Sequence, residues 1–163
     1  MKILVDADSC PKDARELVLR RAAKLKIQPV FAANRPIPTT GISGRAGGSS
    51  TDNSAIMEVC TQHENSADDR IVELAQPGDL VISRDIPLAK RLVEKNVTVI
   101  DDRGRVFTRE NINEALSVRD FMVGLAENGM GIERKKSYGK KELKTFADSL
   151  DRFLARHSVL RLD

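Results

Sequence analysis

Lys2-Ile3-Leu4-Val5-Asp6-Ala7-Asp8-Ser9-Cys10-Pro11 is the stretch that decides how the chain folds. A short apolar run, residues 2–5, stops abruptly at two aspartates, as a buried strand stops before a turn. Pro11 suits the first turn of a helix, where an amide hydrogen would have no partner. Ala14, Leu17, Val18, Ala22 and Leu25 then recur at helical spacing, predicting a helix of about four turns. Strand, acidic turn and helix together make the building unit of an α/β fold.

The unit recurs along the chain. Val30-Phe31-Ala32-Ala33 reads as a second strand and Ala55 to Cys60 as a third. Ser66 is placed to cap a helix whose buried side is Ile71, Leu74 and Ala75, with Asp68 and Asp69 in the first turn, where the helix dipole favours carboxylates. Pro77-Gly78-Asp79 turns the chain into Leu80-Val81-Ile82-Ser83, which ends at Arg84-Asp85. Ile86 to Glu94 reads as a helix and Val97 to Ile100 as a strand ending at Asp101-Asp102. Two longer helices are expected at about 109–127 and 140–157, the last with Leu143, Phe146, Ala147, Leu150, Phe153 and Leu154 on one face. Strands alternating with helices at these intervals predict one α/β domain with a mainly parallel central sheet flanked by helices. The connection at about 34–54, rich in Gly, Pro, Ser and Thr, is long for such a domain and reads as a flexible or ligand-binding loop.

Composition narrows the function classes. The chain has 163 residues, 40% apolar and 31% charged, enough to bury a core without disulfides. A carboxylate interrupts the first apolar run, and no later run approaches the ~18 residues of a membrane span, so the expectation is a cytoplasmic protein with no membrane partner. Cys10 and Cys60 are the only cysteines and His63 and His157 the only histidines, which argues against a disulfide framework or zinc. Cys10 reads as a packing residue. Net charge is +3, but residues 133–144 hold six basic and two acidic residues, so the basic excess sits in a loop at about 133–142. Lys135, Lys136, Lys140 and Lys141 are its candidates for contact with a phosphate backbone, as are Arg45 in the glycine-rich loop and Arg84 beside Asp85.

In an open parallel sheet, ligands bind beyond the carboxyl ends of the strands where strand order reverses. Here those ends are acidic: Asp6 and Asp8 follow one strand, Asp85 another, Asp101 and Asp102 a third, and Asp68 and Asp69 begin a helix. Any one aspartate at a turn or cap is commonly structural, and Asp79 and Asp101 fit that description best. The set is more telling. With the first strand central, Asp6, Asp85 and one of Asp68 or Asp69 converge, and converging carboxylates need a proton or a hard cation such as Mg²⁺ or Mn²⁺ between them. Asp8 and Asp102 complete the candidate metal ligands.

From Asp6 to Pro11 the sequence resembles the YaiI/YqxD family of bacterial proteins, a group of uncharacterised function related to PIN domains. Further matches are Ala33-Asn34, Ala67 to Val72, Gly78 to Ala89, Asn111-Ile112 and Arg119-Asp120, nearly the length of the chain. After the penultimate long helix, Gly129-Met130-Gly131-Ile132 replaces the Gly-Gly-Pro turn of the pattern. The resemblance implies a PIN-like domain with catalytic acids at Asp6, Asp68 and Asp85, and a metal-dependent nuclease acting on RNA or single-stranded nucleic acid. Asp68, Ile71 and Ala75 match the helix pattern, and Ser83-Arg84-Asp85 resembles the Thr-x-Asp of PIN nucleases. The further acid of an early helix has no counterpart, since Glu16 comes too soon and Glu58 lies in a strand.

Two rivals remain. Ile3 to Asp8 also resembles the nucleophile motif of haloacid-dehalogenase-like phosphatases, with Asp6 phosphorylated and Asp8 as acid/base. The third reading is a non-catalytic module that binds nucleic acid or nucleotides.

Overall fold

The computed structural model of the chain describes residues 1–35, 37, 55–61, 63–130 and 137–161, with side chains to His157. Arg45, Lys135 and Lys136, and nearly all of the 34–54 connection, lie outside the described residues. Eleven elements are described: β1 (Ile3–Asp6), α1 (Lys12–Lys24), β2 (Val30–Ala33), β3 (Ile56–Val59), α2 (Ser66–Leu74), β4 (Leu80–Ile82), α3 (Ile86–Glu94), β5 (Thr98–Ile100), β6 (Val106–Phe107), α4 (Ile112–Glu127) and α5 (Lys140–Arg161). The strands form one sheet in the order β3-β2-β1-β4-β5-β6. All pairs are parallel except β5 with β6.

Apart from Asp6 at the end of β1, the central strands β1 and β4 are apolar at every position because both faces are covered. Side chains alternate across a strand, and the two packing clusters follow that alternation. Ile3, Val5, Leu80 and Ile82 face α1 and α5, joining Ala14, Val18, Phe146 and Leu150. Leu4, Val81 and Val99 face the other way, joining Ile71 of α2, Leu88 and Leu92 of α3, and Ile112 and Ala115 of α4. A three-layer α/β/α arrangement results, as the alternating pattern predicts.

Three local features differ from the sequence expectation. Residue 65, not Ser66, precedes α2, and the Ser66 hydroxyl turns back to accept from the His63 amide at 2.7 Å. The β6 strand went unrecognised because it has two residues, paired antiparallel to β5 across a tight turn. In that turn Gly104 takes φ +90°, and a Cβ there would lie 2.4 Å from the Thr145 carbonyl oxygen, so only glycine lets α5 approach. The penultimate helix begins at Ile112 rather than 109, because Thr108 and Asn111 bond each other reciprocally before it: the Thr108 amide donates to Asn111 Oδ1 and the Asn111 amide to Thr108 Oγ1. Among the described residues no helix is long and apolar enough to cross a membrane.

Candidate functional site

Strand order reverses between β1 and β4: β2 and β3 extend to one side of β1, β4 to β6 to the other. The crevice beyond the carboxyl ends of β1 and β4 is therefore the place where this fold admits a ligand. Asp6 ends β1, and Ser83-Arg84-Asp85 follows β4. The two segments are locked together through hydroxyls, since Asp6 Oδ2 accepts from Ser83 Oγ at 2.8 Å and from Ser9 Oγ at 3.0 Å. Ser83 Oγ in turn accepts from the Asp85 amide at 3.0 Å. The Asp85 carboxylate caps α3 by accepting from the Leu88 amide, also at 3.0 Å. It is thereby fixed at the mouth of the crevice, half-buried.

Asp68 reaches the same place from α2. Asn34, just beyond β2, holds that helix start: its Oδ1 accepts from the Ala67 amide at 3.0 Å, and its Nδ2 donates to the Glu64 carbonyl at 2.7 Å. Burial pushes the Asp68 carboxyl up to about 7, helped by the charges of Asp85 and Asp6 and by a hydrogen bond to Asp85, against the pull of Arg91. Near neutral pH Asp68 thus holds its proton part of the time, hydrogen-bonded to Asp85. Asp6, only 4% exposed, is also raised, again by burial first; the Ser83 and Ser9 hydroxyls oppose the shift, and Asp85 and Asp8 add to it.

The structure therefore brings Asp6, Asp68 and Asp85 together and gives the other sequence candidates different surroundings. Asp69 points outward, bonded to Arg91 Nη1 at 3.0 Å and 3.5 Å from His63 Nε2. Asp8 accepts from the Asn34 amide at 2.7 Å and lies 3.7 Å from Arg35. Asp102 is buried behind Arg84, whose Nη2 lies 3.8 Å from Asp102 Oδ2 while its Nε donates to the Ser9 carbonyl at 2.9 Å. Among the described residues Asp102 Oδ2 has no hydrogen-bond partner, and the exposed Arg84 guanidinium is its counter-charge. Asp79 and Asp101 serve turns: Asp79 accepts from the Lys2 and Gln76 amides, Asp101 from those of Arg103 and Arg105. Glu58 lies on β3, paired with Arg70 at 2.7 Å. Burial pushes the Cys10 thiol up to about 12, which suits packing rather than attack.

Sequence reading missed the supports Ser9, Ser83 and Asn34. Hydroxyl or amide side chains next to a strand-end aspartate were the available signal, but many such residues flank turns without bonding a carboxylate.

The basic segment enters at the same end of the sheet. Tyr138 Oη donates to the Asp102 carbonyl at 2.6 Å, and Glu142 lies 3.7 Å from Arg103, so residues 138–142 run beside the turn after β5. Lys140 and Lys141, both exposed, start α5 there.

The donor set of the three central acids is hard and anionic, the chemistry a Mg²⁺- or Mn²⁺-class ion requires. Asp68 is hydrogen-bonded to Asp85 and feels the charge of Asp6, and among the described residues no three acidic, histidine or cysteine side chains form a group that could hold a metal ion.

Fold and crevice define an α/β protein with an acidic strand-end site at its topological switch point. The chain belongs to the YaiI/YqxD family, described as uncharacterised, whose model matches residues 4–156. It is similar to the "UPF0178 protein" of Treponema denticola, 46% identical over 156 residues, covering 96% of this chain and 93% of the relative. Those of Treponema pallidum (44% identical; 99% and 85% covered) and Myxococcus xanthus (42%; 96% and 95%) are also similar. No solved structure matches.

Proposed function

We propose that this protein is a divalent-metal-dependent nuclease acting on RNA or single-stranded nucleic acid, with Asp6, Asp68 and Asp85 as its catalytic acids in a PIN-like arrangement. The observation that carries the reading is the Asp68–Asp85 pair beside Asp6, where burial, joined by the charges of Asp85 and Asp6, raises Asp68 to about 7. A site that recruits a proton to offset its charge is a site that a cation can occupy in the proton's place. Asp6, Asp68 and Asp85 would hold the Mg²⁺ or Mn²⁺. When bound, the ion supplies an activated water and a counter-charge for a phosphodiester's developing charge.

The chain's own residues supply the rest. Ser9 and Ser83 fix the Asp6 carboxylate, and the α3 cap fixes Asp85, so neither reorganises when substrate arrives. Arg84, anchored on Ser9 and Asp102, presents its exposed guanidinium beside the acids, as phosphate recognition requires. Lys140 and Lys141 lend positive charge at the same end of the sheet; Lys135 and Lys136 precede them in sequence. Water is the nucleophile, and the products carry the proton and hydroxyl it delivers.

The test is cleavage of a single-stranded RNA by the purified protein with Mn²⁺ or Mg²⁺, with and without EDTA, for wild type and Asp85→Asn. The Asn amide oxygen keeps the α3 cap, so the variant folds. Cleavage that EDTA abolishes and Asp85→Asn cripples supports the proposal, and undiminished cleavage by Asp85→Asn sinks it. Hydrolysis of a simple phosphomonoester with phosphorylation of Asp6 would establish the phosphatase reading instead. Asp8, that reading's acid/base, is held by Asn34 and Arg35. RNA binding without metal-dependent turnover would leave the non-catalytic module.

A further inference from the structure

On the face of the sheet covered by α5, away from the acids, a cavity of about 400 Å³ lies between that helix and the β5–β6 hairpin. Its volume falls within the ~300–1,000 Å³ of small-molecule sites. The floor is apolar: Ile100 is fully buried, Val106 is partly exposed, and Phe153 carries the His157 ring stacked on it at 6.1 Å between centroids and 16° between planes. Two exposed guanidiniums stand over this floor, Arg152 and Arg156, four residues apart and so on one side of α5. The nearest acid in sequence, Asp151, is committed elsewhere, bonded to Arg21 of α1 at 2.7 Å. Among the described residues neither Arg152 nor Arg156 forms an ion pair. Like charges one turn apart destabilise a helix, and a dianionic group between them removes the repulsion while accepting from both forks.

We infer that this cavity binds a nucleoside monophosphate unit, its base on the Phe153–His157 rings and the Ile100–Val106 floor, its phosphate between Arg152 and Arg156. An inorganic anion would leave the apolar floor uncovered, and an uncharged aromatic would leave the guanidiniums unpaired; a nucleotide satisfies both. The unit has two sources, a free nucleotide or one nucleotide of a single strand. The site shares no residue with the acid cluster, so its occupation does not depend on cleavage at Asp6, Asp68 and Asp85.

The experiment is calorimetric titration of the full chain in EDTA with AMP, adenosine and inorganic phosphate, for wild type and for Arg152→Gln/Arg156→Gln. Both arginines are exposed, and a melting temperature no lower than the wild type's checks the fold of the double variant. Saturable AMP binding, tighter than either fragment and weakened by about tenfold or more in the variant, bears the inference out. Equal affinity for phosphate and AMP, an unaffected double variant, or no saturation by millimolar AMP overturns it. Given saturable AMP binding, competition by a short single-stranded RNA identifies the strand as the source, and its absence a free nucleotide.

Discussion

Replacing Asp68 by Asn imitates the protonated state that the crevice imposes, and this makes the repulsion measurable without knowing a substrate. The Asp68 carboxyl moves from 3.8 in the unfolded chain to about 7 in the folded one, chiefly by burial and then by the charges of Asp85 and Asp6. Three pH units at ~1.4 kcal/mol each set a ceiling of about 4 kcal/mol. Asp68 is half-buried at an open crevice, and solvent screening brings the expected value to about 1–2 kcal/mol. Because the folded protein holds a proton that the unfolded chain loses, the wild type is least penalised below pH 3.8. It loses stability as pH rises from there to about 7, with a constant penalty above. Asn keeps a donor for Asp85 and never ionises, so it escapes that loss. Removing a carboxylate from the first turn of α2 takes back about 0.3–1 kcal/mol. The net expectation at pH 8 in EDTA is an Asp68→Asn protein more stable by about 1 kcal/mol, melting ~2–4 °C higher, with the gap closing toward pH 4. Thermal melts of both proteins across that range decide the matter. A gap that does not grow with pH, or a lower melt for the variant at pH 8, would show that Asp68 does not face the other two acids as a crowded carboxyl.

Metal binding should release the proton held by Asp68, so Mn²⁺ affinity is expected to rise with pH through about 7 and level off above; flat affinity by calorimetry would dissociate the metal from Asp68. Asp79→Ala should lower urea stability by about 2–3 kcal/mol, since the Lys2 and Gln76 amides lose their acceptor, and should leave any metal response intact; a lost response would draw Asp79 into the site. Replacing Lys135, Lys136, Lys140 and Lys141 by Ala should reduce the log-log salt slope of RNA binding by about 3 if all four meet a single strand, and an unchanged slope would return the segment to plain solvent.

The α/β order was legible because its signals are local. Ile3 to Val5 and Leu80 to Ile82 are apolar throughout and Val97 to Ile100 apolar but for Thr98, as strands covered on both faces must nearly be, and an acid follows each within three residues. What the sequence could not carry is contact at a distance. Asp6 meets Ser83 across 77 positions, a bond set by the pairing of β1 with β4. The β6 strand exists only because Gly104 admits Thr145 of α5, a partner 41 residues on. The α4 helix shows the converse: its sequence is apolar, yet only Ile112 and Ala115 are buried while Val118, Phe121 and Met122 stand more than half exposed. Local pattern predicts that a helix forms there, but not how much of it finds a neighbour.

The choice between Asp68 and Asp69 shows how far a periodic argument reaches. Asp68, Ile71 and Ala75 share one helical stripe, and Ile71 and Ala75 are fully buried, so Asp68 must point inward with them. Asp69 is turned about 100° away by the same geometry, toward solvent, Arg91 and His63. Spacing alone therefore favours the first acid, yet it does not say what the inward acid meets. That depends on β1 and β4 being neighbours, which places Asp6 and Asp85 under the start of α2, and on Asn34 pinning that start at Ala67. Arg91, bonded to Asp69 and also lowering Asp68, joins the outer acid to the inner one. The outer aspartate thus shares Arg91 with the inner one while itself facing away from the site.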